Sequence, residues 1–139
     1  MEIEINYLAI ALATLASLII GAFWYSKIAF GERWMSLVGL TEEKAKPKMA
    51  SATAGMLVLS LVMAYMLSHV TYMSIHTFGY GAQLAGITSG FMMWLGFVLP
   101  VVLGTGLFEQ RSKYLLLINL GNWLVTLVVM GTIIGFFGF

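Results

Sequence analysis

The sequence contains no cysteine, only two prolines and few charged residues, which make up 9% of its 139 positions. The absence of cysteine excludes disulfides, thiolate metal sites, cysteine nucleophiles and c-type haem attachment. A net charge of +1 provides no basic surface for nucleic acid. Apolar residues form 60% of the chain, against roughly 45–50% in a soluble domain. A chain of this length cannot bury that surplus, so the sequence predicts a membrane protein.

Charged residues divide the chain into apolar segments. Residues 49–108 contain no Asp, Glu, Lys or Arg, and as one helix they would be ~90 Å long, about three bilayer thicknesses. This stretch must therefore fold back, and polar and turn residues place the break within residues 68–81. The prediction is an all-α integral membrane four-helix bundle that forms one domain over residues 1–139. Its spans are expected at about 5–26, 49–69, 83–108 and 114–137.

The basic residues all lie in loops one and three. They are Lys27, Arg33, Lys44, Lys46 and Lys48 in loop one, and Arg111 and Lys113 in loop three. The positive-inside rule therefore predicts that these loops are cytoplasmic and that both termini are outside. The acidic start, with Glu2 and Glu4, lacks the basic region of a signal peptide. We expect the first span to stay in a multi-pass protein of the cytoplasmic membrane.

Loop one also contains a predicted short amphipathic helix. Its apolar residues recur at helical spacing and are Phe30, Trp34, Leu37 and Val38. Gly39 is expected to end this helix, which should lie in the cytoplasmic interface. Trp24 and Tyr25, which close the first span, and Trp34 are the predicted interfacial anchors.

Small residues repeat at helical spacing on all four spans. They are Ala9, Ala13, Ser17 and Gly21 on the first, Ser60, Ala64 and Ser68 on the second, Ala82, Gly86 and Gly90 on the third, and Gly131 and Gly135 on the fourth. In lipid, such faces let two helix backbones approach closely. They predict packing within one bundle, and a homo-oligomer seam is the alternative.

A polar stripe on the fourth span consists of Asn119, Asn122 and Thr126. Amides that face lipid would leave polar groups unsatisfied at a cost of several kcal/mol, so these side chains are expected to face inward. Pro100 removes a hydrogen bond to the Gly96 carbonyl at comparable depth, and that carbonyl is the expected partner of the amides. The stripe is either interhelical hydrogen bonding or the lining of a path for a small solute.

Few residues could carry chemistry. His69 and His76 would lie about 10 Å apart along a helix axis, too far to share one small ion, and zinc pairs favour i,i+4 spacing. We expect them in a wet outer loop, with metal or haem binding as the alternative. Glu109 is expected to pair with Arg111 or Arg33 at the interface. The sequence identifies no catalytic, cofactor-binding or metal-binding residue.

Several motifs resemble the DUF-1761 family over nearly the whole chain. They are Gly21-Ala22-Phe23-Trp24-Tyr25-Ser26, Phe30-Gly31, Trp34-Met35, Gly39-Leu40-Thr41, Trp94-Leu95-Gly96-Phe97-Val98-Leu99-Pro100, Leu107-Phe108-Glu109 and Val128-Val129-Met130-Gly131. The resemblance implies a small bacterial membrane protein with four spans. It supplies no activity, substrate, cofactor or catalytic residue.

The sequence leaves three functions open. The first is a non-enzymatic structural or accessory component that acts through helix–helix contacts. The second is a small transporter or channel for a neutral or lipid-like solute, with a cleft between the third and fourth spans near Asn119, Asn122 and Pro100. The third is an enzyme or redox anchor that uses His69 and His76. The expected partners are membrane lipid and a second copy or another membrane protein, without nucleic acid.

Overall fold

The computed structural model describes residues 5–139, and these residues form helices and connecting turns without strands. The acidic start of the sequence, residues 1–4, lies outside the described residues. The helices are α1 (Tyr7–Trp24), α2 (Gly31–Val38), α3 (Glu42–Ala45), α4 (Met49–Phe78), α5 (Ala82–Met93), α6 (Leu99–Phe108) and α7 (Lys113–Phe137). A 3₁₀ turn, Lys46–Lys48, precedes α4, and a π-helical turn, Trp94–Val98, joins α5 to α6.

Four helical segments are long and apolar enough to cross a membrane. They are Tyr7–Trp24, Glu42–Phe78, Ala82–Phe108 and Lys113–Phe137. The predicted all-α fold, with four helices long and apolar enough to span a membrane, is therefore confirmed. We call the end of the bundle with loops one and three the basic end, and the end with Asn6 and Phe137 the terminal end.

Helix α7 is the centre of the bundle. An apolar 18-residue window of this helix is 44% buried, against 6% for the equivalent window within Ala82–Phe108. Two hydrogen bonds fix its antiparallel register with α1. At the terminal end Asn6 Nδ2 donates to the Phe137 carbonyl (2.7 Å), and near the basic end Trp24 Nε1 donates to the Ile118 carbonyl (3.0 Å).

Helices α5 and α7 meet backbone to backbone along a glycine seam. A Cβ atom on Gly86 would collide with the carbonyl oxygen of Gly131, and a Cβ atom on Gly90 would collide with that of Leu127. A Cβ atom on Gly135 would likewise collide with the carbonyl oxygen of Ala82. Because the obstacle is backbone and cannot rotate away, any side chain on these glycines would push the two helices apart.

The third span has two halves that pack differently. Four residues of α5 are buried, whereas Gly106 is the one buried residue of α6. The change follows the π-helical turn and Pro100, which stands in the first turn of α6 and cannot donate a helical hydrogen bond. Over most of its length α6 stands away from α7, and this separation leaves space near the basic end of the bundle.

Helix α4 is longer than the predicted second span and runs without interruption to Phe78. The expected break over residues 68–81 shrinks to Gly79–Gly81, where Gly79 has the left-handed φ of 68° that ends the helix. The polar residues 68–78 stay helical because Ser68 and Thr71 are buried against the bundle. At 1.5 Å per residue the 30 residues of α4 span roughly 45 Å, more than the hydrocarbon core.

Helix α2 confirms the short amphipathic helix predicted in loop one, and Gly39, with φ of 71°, ends it. Helix α2 follows α1 through a tight turn in which the Phe30 amide donates to the Trp24 carbonyl (3.0 Å). Gly31 is buried in this turn, where a Cβ atom would strike the carbonyl oxygens of Tyr25 and Ser26. The turn places α2 in contact with the basic end of α7.

Candidate functional site

The space between α2, α6 and α7 forms a cleft of about 300 Å³, which we call the Trp34 cleft. It is lined by Trp34, Val38, Val102, Thr105, Gly106, Glu109, Arg111, Leu115, Leu116 and Asn119. The volume is at the lower end of the range of small-molecule sites, about 300–1,000 Å³. Its walls come from the third and fourth spans, with α2 as the cover at the basic end.

The deepest polar group of the Trp34 cleft is the side chain of Asn119. Its Oδ1 accepts a hydrogen bond from the Tyr25 hydroxyl (2.9 Å). The Tyr25 ring in turn packs edge-on against Trp34, with 5.3 Å between the ring centroids. In the described part of the chain no acceptor is hydrogen-bonded to Asn119 Nδ2, so this N–H group can donate to a molecule in the cleft.

The mouth of the Trp34 cleft carries an ion pair. Arg111 Nε lies 2.8 Å from Glu109 Oε2, and both side chains are about half exposed. The prediction that Glu109 pairs with Arg111 or Arg33 is therefore confirmed for Arg111. Because the two charges cancel, the mouth of the cleft has no net charge.

The predicted anchors Trp24, Tyr25 and Trp34 all contact other parts of the bundle. Trp24 and Tyr25 both donate hydrogen bonds to α7, so their polar atoms have protein partners. Sequence reasoning missed a similar bond in which Trp94 Nε1 donates to the Leu120 carbonyl (2.9 Å). The usable signal was an indole inside an apolar span, because a buried Trp N–H usually finds an acceptor.

A second cleft of about 300 Å³ lies on another face of α7, and we call it the Arg33 cleft. It is lined by Trp24, Phe30, Arg33, Tyr114, Leu117 and Ile118. The Arg33 guanidinium carbon lies 4.6 Å from the centroid of the Tyr114 ring, a cation–π contact. Nearby in loop one, a hydrogen bond to Glu42 and its charge raise the pKa of Lys27.

The prediction that the amides of α7 form hydrogen bonds to the Gly96 carbonyl is wrong. Asn119 bonds to Tyr25 instead, whereas Gly96 and Pro100 are exposed. The physical reason is the rotation of the third span, in which Trp94 is the residue that reaches α7. Gly96 follows two positions later and therefore lies on another face of the helix. Pro100 therefore contributes neither a partner nor a wall to the Trp34 cleft.

The predicted polar stripe is divided between two environments. Asn119 lines the Trp34 cleft, whereas Asn122 and Thr126 are buried in the bundle, 5% and 1% exposed. Asn122 Oδ1 and Thr126 Oγ1 have no hydrogen-bond partner within residues 5–139. The deeper two residues do face inward, but they do not line either cleft.

The small residues of the first span occupy a buried face at the terminal end and middle of the bundle. Ala9, Ala13 and Ser17 are buried, and Ser17 Oγ lies 3.0 Å from Ser60 Oγ on α4. Gly21 is less buried, and a Cβ atom there would meet no atom within 4 Å. This face serves packing inside the chain down to the level of Ser17.

Neither His69 nor His76 lies in an outer loop, which corrects that expectation, because both belong to α4. Each Nδ1 lies 2.9 Å from a carbonyl oxygen of its own helix, that of Tyr65 for His69 and of Tyr72 for His76. Within the described residues no three His, Asp or Glu side chains form a group that could hold a metal ion.

Comparison with known proteins gives one match. Residues 8–135 match the family model described as protein of unknown function (DUF1761). No curated protein and no solved structure matches the chain. The match covers well over half of the sequence and includes α1 from its second residue, α2 and all of the residues that line both clefts. The chain therefore belongs to the DUF1761 family.

Proposed function

We propose that this protein binds a neutral, lipid-like molecule in the Trp34 cleft. The observation that carries the proposal is the available Asn119 Nδ2 at the inner end of the cleft between the third and fourth spans. The other polar side chains of the lining are Thr105 and the Glu109–Arg111 ion pair at the mouth. The apolar walls suit an acyl or isoprenoid chain, and the amide suits a carbonyl, ester or hydroxyl oxygen as acceptor.

Charge balance favours a neutral ligand over an anion. Arg111 is the one cation that lines the Trp34 cleft, and Glu109 already neutralises it. The Asn119 amide is uncharged and offers a donor. A carboxylate or phosphate ligand would have to break the ion pair and leave Glu109 beside its own negative charge, whereas a neutral acceptor would leave the pair intact.

The arrangement supports binding from one side of the membrane. The buried Asn122 and Thr126 do not line the Trp34 cleft, so the polar residues do not form a continuous lining through the bundle. We place the protein in the cytoplasmic membrane with the basic end at the cytoplasmic side, on the strength of its seven basic residues in loops one and three. The ligand then enters from the cytoplasmic leaflet.

The test is a titration of the full chain in a neutral detergent with a monoacylglycerol whose acyl chain is brominated. Bromine quenches a tryptophan that it contacts, and Trp34 lines the cleft. Saturable quenching is expected, and Trp34→Phe should remove the quenched component. Asn119→Leu should weaken binding by about threefold to tenfold, the equivalent of one hydrogen bond.

Asn122→Leu is the matched control, because it changes an amide on the same helix that lies outside the cleft. Its affinity for the brominated monoacylglycerol should equal that of the native chain. Equal affinities for native protein and Asn119→Leu would contradict the proposal. Tighter binding of the fatty-acid anion with the same chain would contradict the assignment of a neutral ligand.

An accessory role is the second candidate, favoured by the first third of α4. Residues 49–59 are exposed apart from the partly buried Met56, so no other part of the described chain covers them. A helix of another membrane protein or a second copy could pack there. A photoreactive residue that replaces Gly55 should then cross-link to one defined partner, whereas one that replaces Leu107 should cross-link to lipid alone.

A further inference from the structure

Arg33 has an environment that differs from that of the other basic residues at the basic end. Lys27 pairs with Glu42 and Arg111 pairs with Glu109, whereas Arg33, like the other four basic residues, forms no ion pair within the described residues. Of these unpaired cations, Arg33 is the one that lines either of the two clefts. The Arg33 guanidinium lies over the ring of Tyr114. A guanidinium has five N–H donors, and a ring face satisfies none of them as a hydrogen-bond acceptor does. Arg33 therefore retains its capacity to bind an anion.

The walls beside Arg33 are apolar and face outward. Trp24 and Phe30 pack together with 4.9 Å between their ring centroids, and Leu117 is 65% exposed. Leu117 and Ile118 lie about one helical turn further into the fourth span than Tyr114. The cleft thus has a cation at its outer edge and an apolar floor that continues towards the membrane interior.

We propose that the Arg33 cleft binds an anionic phospholipid. The phosphodiester would accept charge-assisted hydrogen bonds from the Arg33 guanidinium, whose planar fork matches two phosphate oxygens. The first part of one acyl chain would lie along Leu117 and Ile118. Charge complementarity selects this occupant over a zwitterionic lipid, because no carboxylate of residues 5–139 lines the cleft to hold a choline or ethanolamine group.

This site uses residues that the Trp34 cleft does not use, so each site can fail alone. Asn119 lines one cleft and Arg33 the other. The two ligands also differ in charge. A chain that binds monoacylglycerol and not anionic lipid, or the reverse, would separate the two proposals.

The test uses the full chain in phosphatidylcholine vesicles that contain increasing fractions of phosphatidylglycerol with brominated chains. We compare the quenching of tryptophan fluorescence by brominated phosphatidylglycerol with the quenching by brominated phosphatidylcholine. The comparison gives the relative binding constant of the two lipids beside Trp24. The native protein should prefer phosphatidylglycerol by about fivefold, the effect of one arginine near the membrane surface. Arg33→Gln should bring the ratio close to one.

Lys46→Gln is the matched control, because Lys46 is an exposed cation of loop one that lines neither cleft. It removes the same charge and should keep the preference. Equal losses in Arg33→Gln and Lys46→Gln would show a general surface attraction and overturn the site. If the native protein binds the two lipids with a ratio of binding constants close to one, the proposed site is overturned without any variant. Loss of the preference in millimolar inorganic phosphate would indicate that the site binds a free anion instead of a lipid.

Discussion

The Tyr25 hydroxyl donates a 2.9 Å hydrogen bond to Asn119 Oδ1 and so connects the end of α1 to the central helix α7. The two residues are 94 positions apart in the chain. The bond also orients the Asn119 amide. Its Oδ1 is occupied by Tyr25, so its Nδ2 is the atom that remains able to donate to a ligand. Tyr25 thus positions the group on which the proposed ligand site depends.

Tyr25→Phe should lower the free energy of unfolding by about 1 kcal/mol, the usual net value of one hydrogen bond. Chemical denaturation in detergent is the measurement. In a double-mutant cycle with Asn119→Leu, the coupling energy should be about 0.5–1.5 kcal/mol. Additive losses would mean that the two side chains do not interact.

Gly90→Ala should destabilise the bundle by about 1–3 kcal/mol, because its methyl group would overlap the Leu127 carbonyl at the glycine seam. Gly104→Ala is the control on the same span, since a Cβ atom there meets no atom within 4 Å. That variant should be neutral or gain up to about 1 kcal/mol from helix propensity. Equal melting temperatures for the two variants would argue against the close α5–α7 contact.

Asn122→Leu should leave stability unchanged or raise it by about 1–2 kcal/mol. Interhelical hydrogen bonding, one of the two roles that the sequence leaves open for the polar stripe, would instead make this substitution cost about 1 kcal/mol. The structure reverses the sign, because Asn122 Oδ1 is buried and has no partner in the described residues, and an unsatisfied buried group costs free energy. Thermal unfolding measures the difference in stability between the native chain and Asn122→Leu. A loss of about 1 kcal/mol would support an interhelical hydrogen bond of Asn122 instead.

The orientation in the membrane can be measured directly, because the chain has no cysteine of its own. A cysteine that replaces Thr77, near the end of α4, should react in intact cells with a reagent that does not cross the membrane. A cysteine that replaces Ser112, between α6 and α7, should react only after the cells are opened. The opposite pattern would invert the topology, and reaction of both sites in intact cells would contradict four complete spans.

The membrane class, the four spans and helix α2 could be predicted because each depends on local composition or on a helical repeat. Gly39 ends α2 as its sequence position indicates, since glycine adopts a left-handed φ without strain. The end of α4 could not be placed in the same way. Residues 68–78 are polar enough for a turn, and only the burial of Ser68, Thr71 and Tyr72 against the bundle explains why this stretch remains helical.

The sequence by itself determined that the chain has four segments apolar enough to cross a membrane, and which end is basic, because the cost of burying charge in lipid acts on each residue wherever it packs. Only the tertiary structure decided the partners. It joined Asn119 to Tyr25, left Asn122 Oδ1 without a hydrogen-bond partner among the described residues, and opened two clefts on different faces of α7. These outcomes depend on the rotation of each helix and on the divergence of α6 after Pro100, and neither follows from the order of residues within a single span.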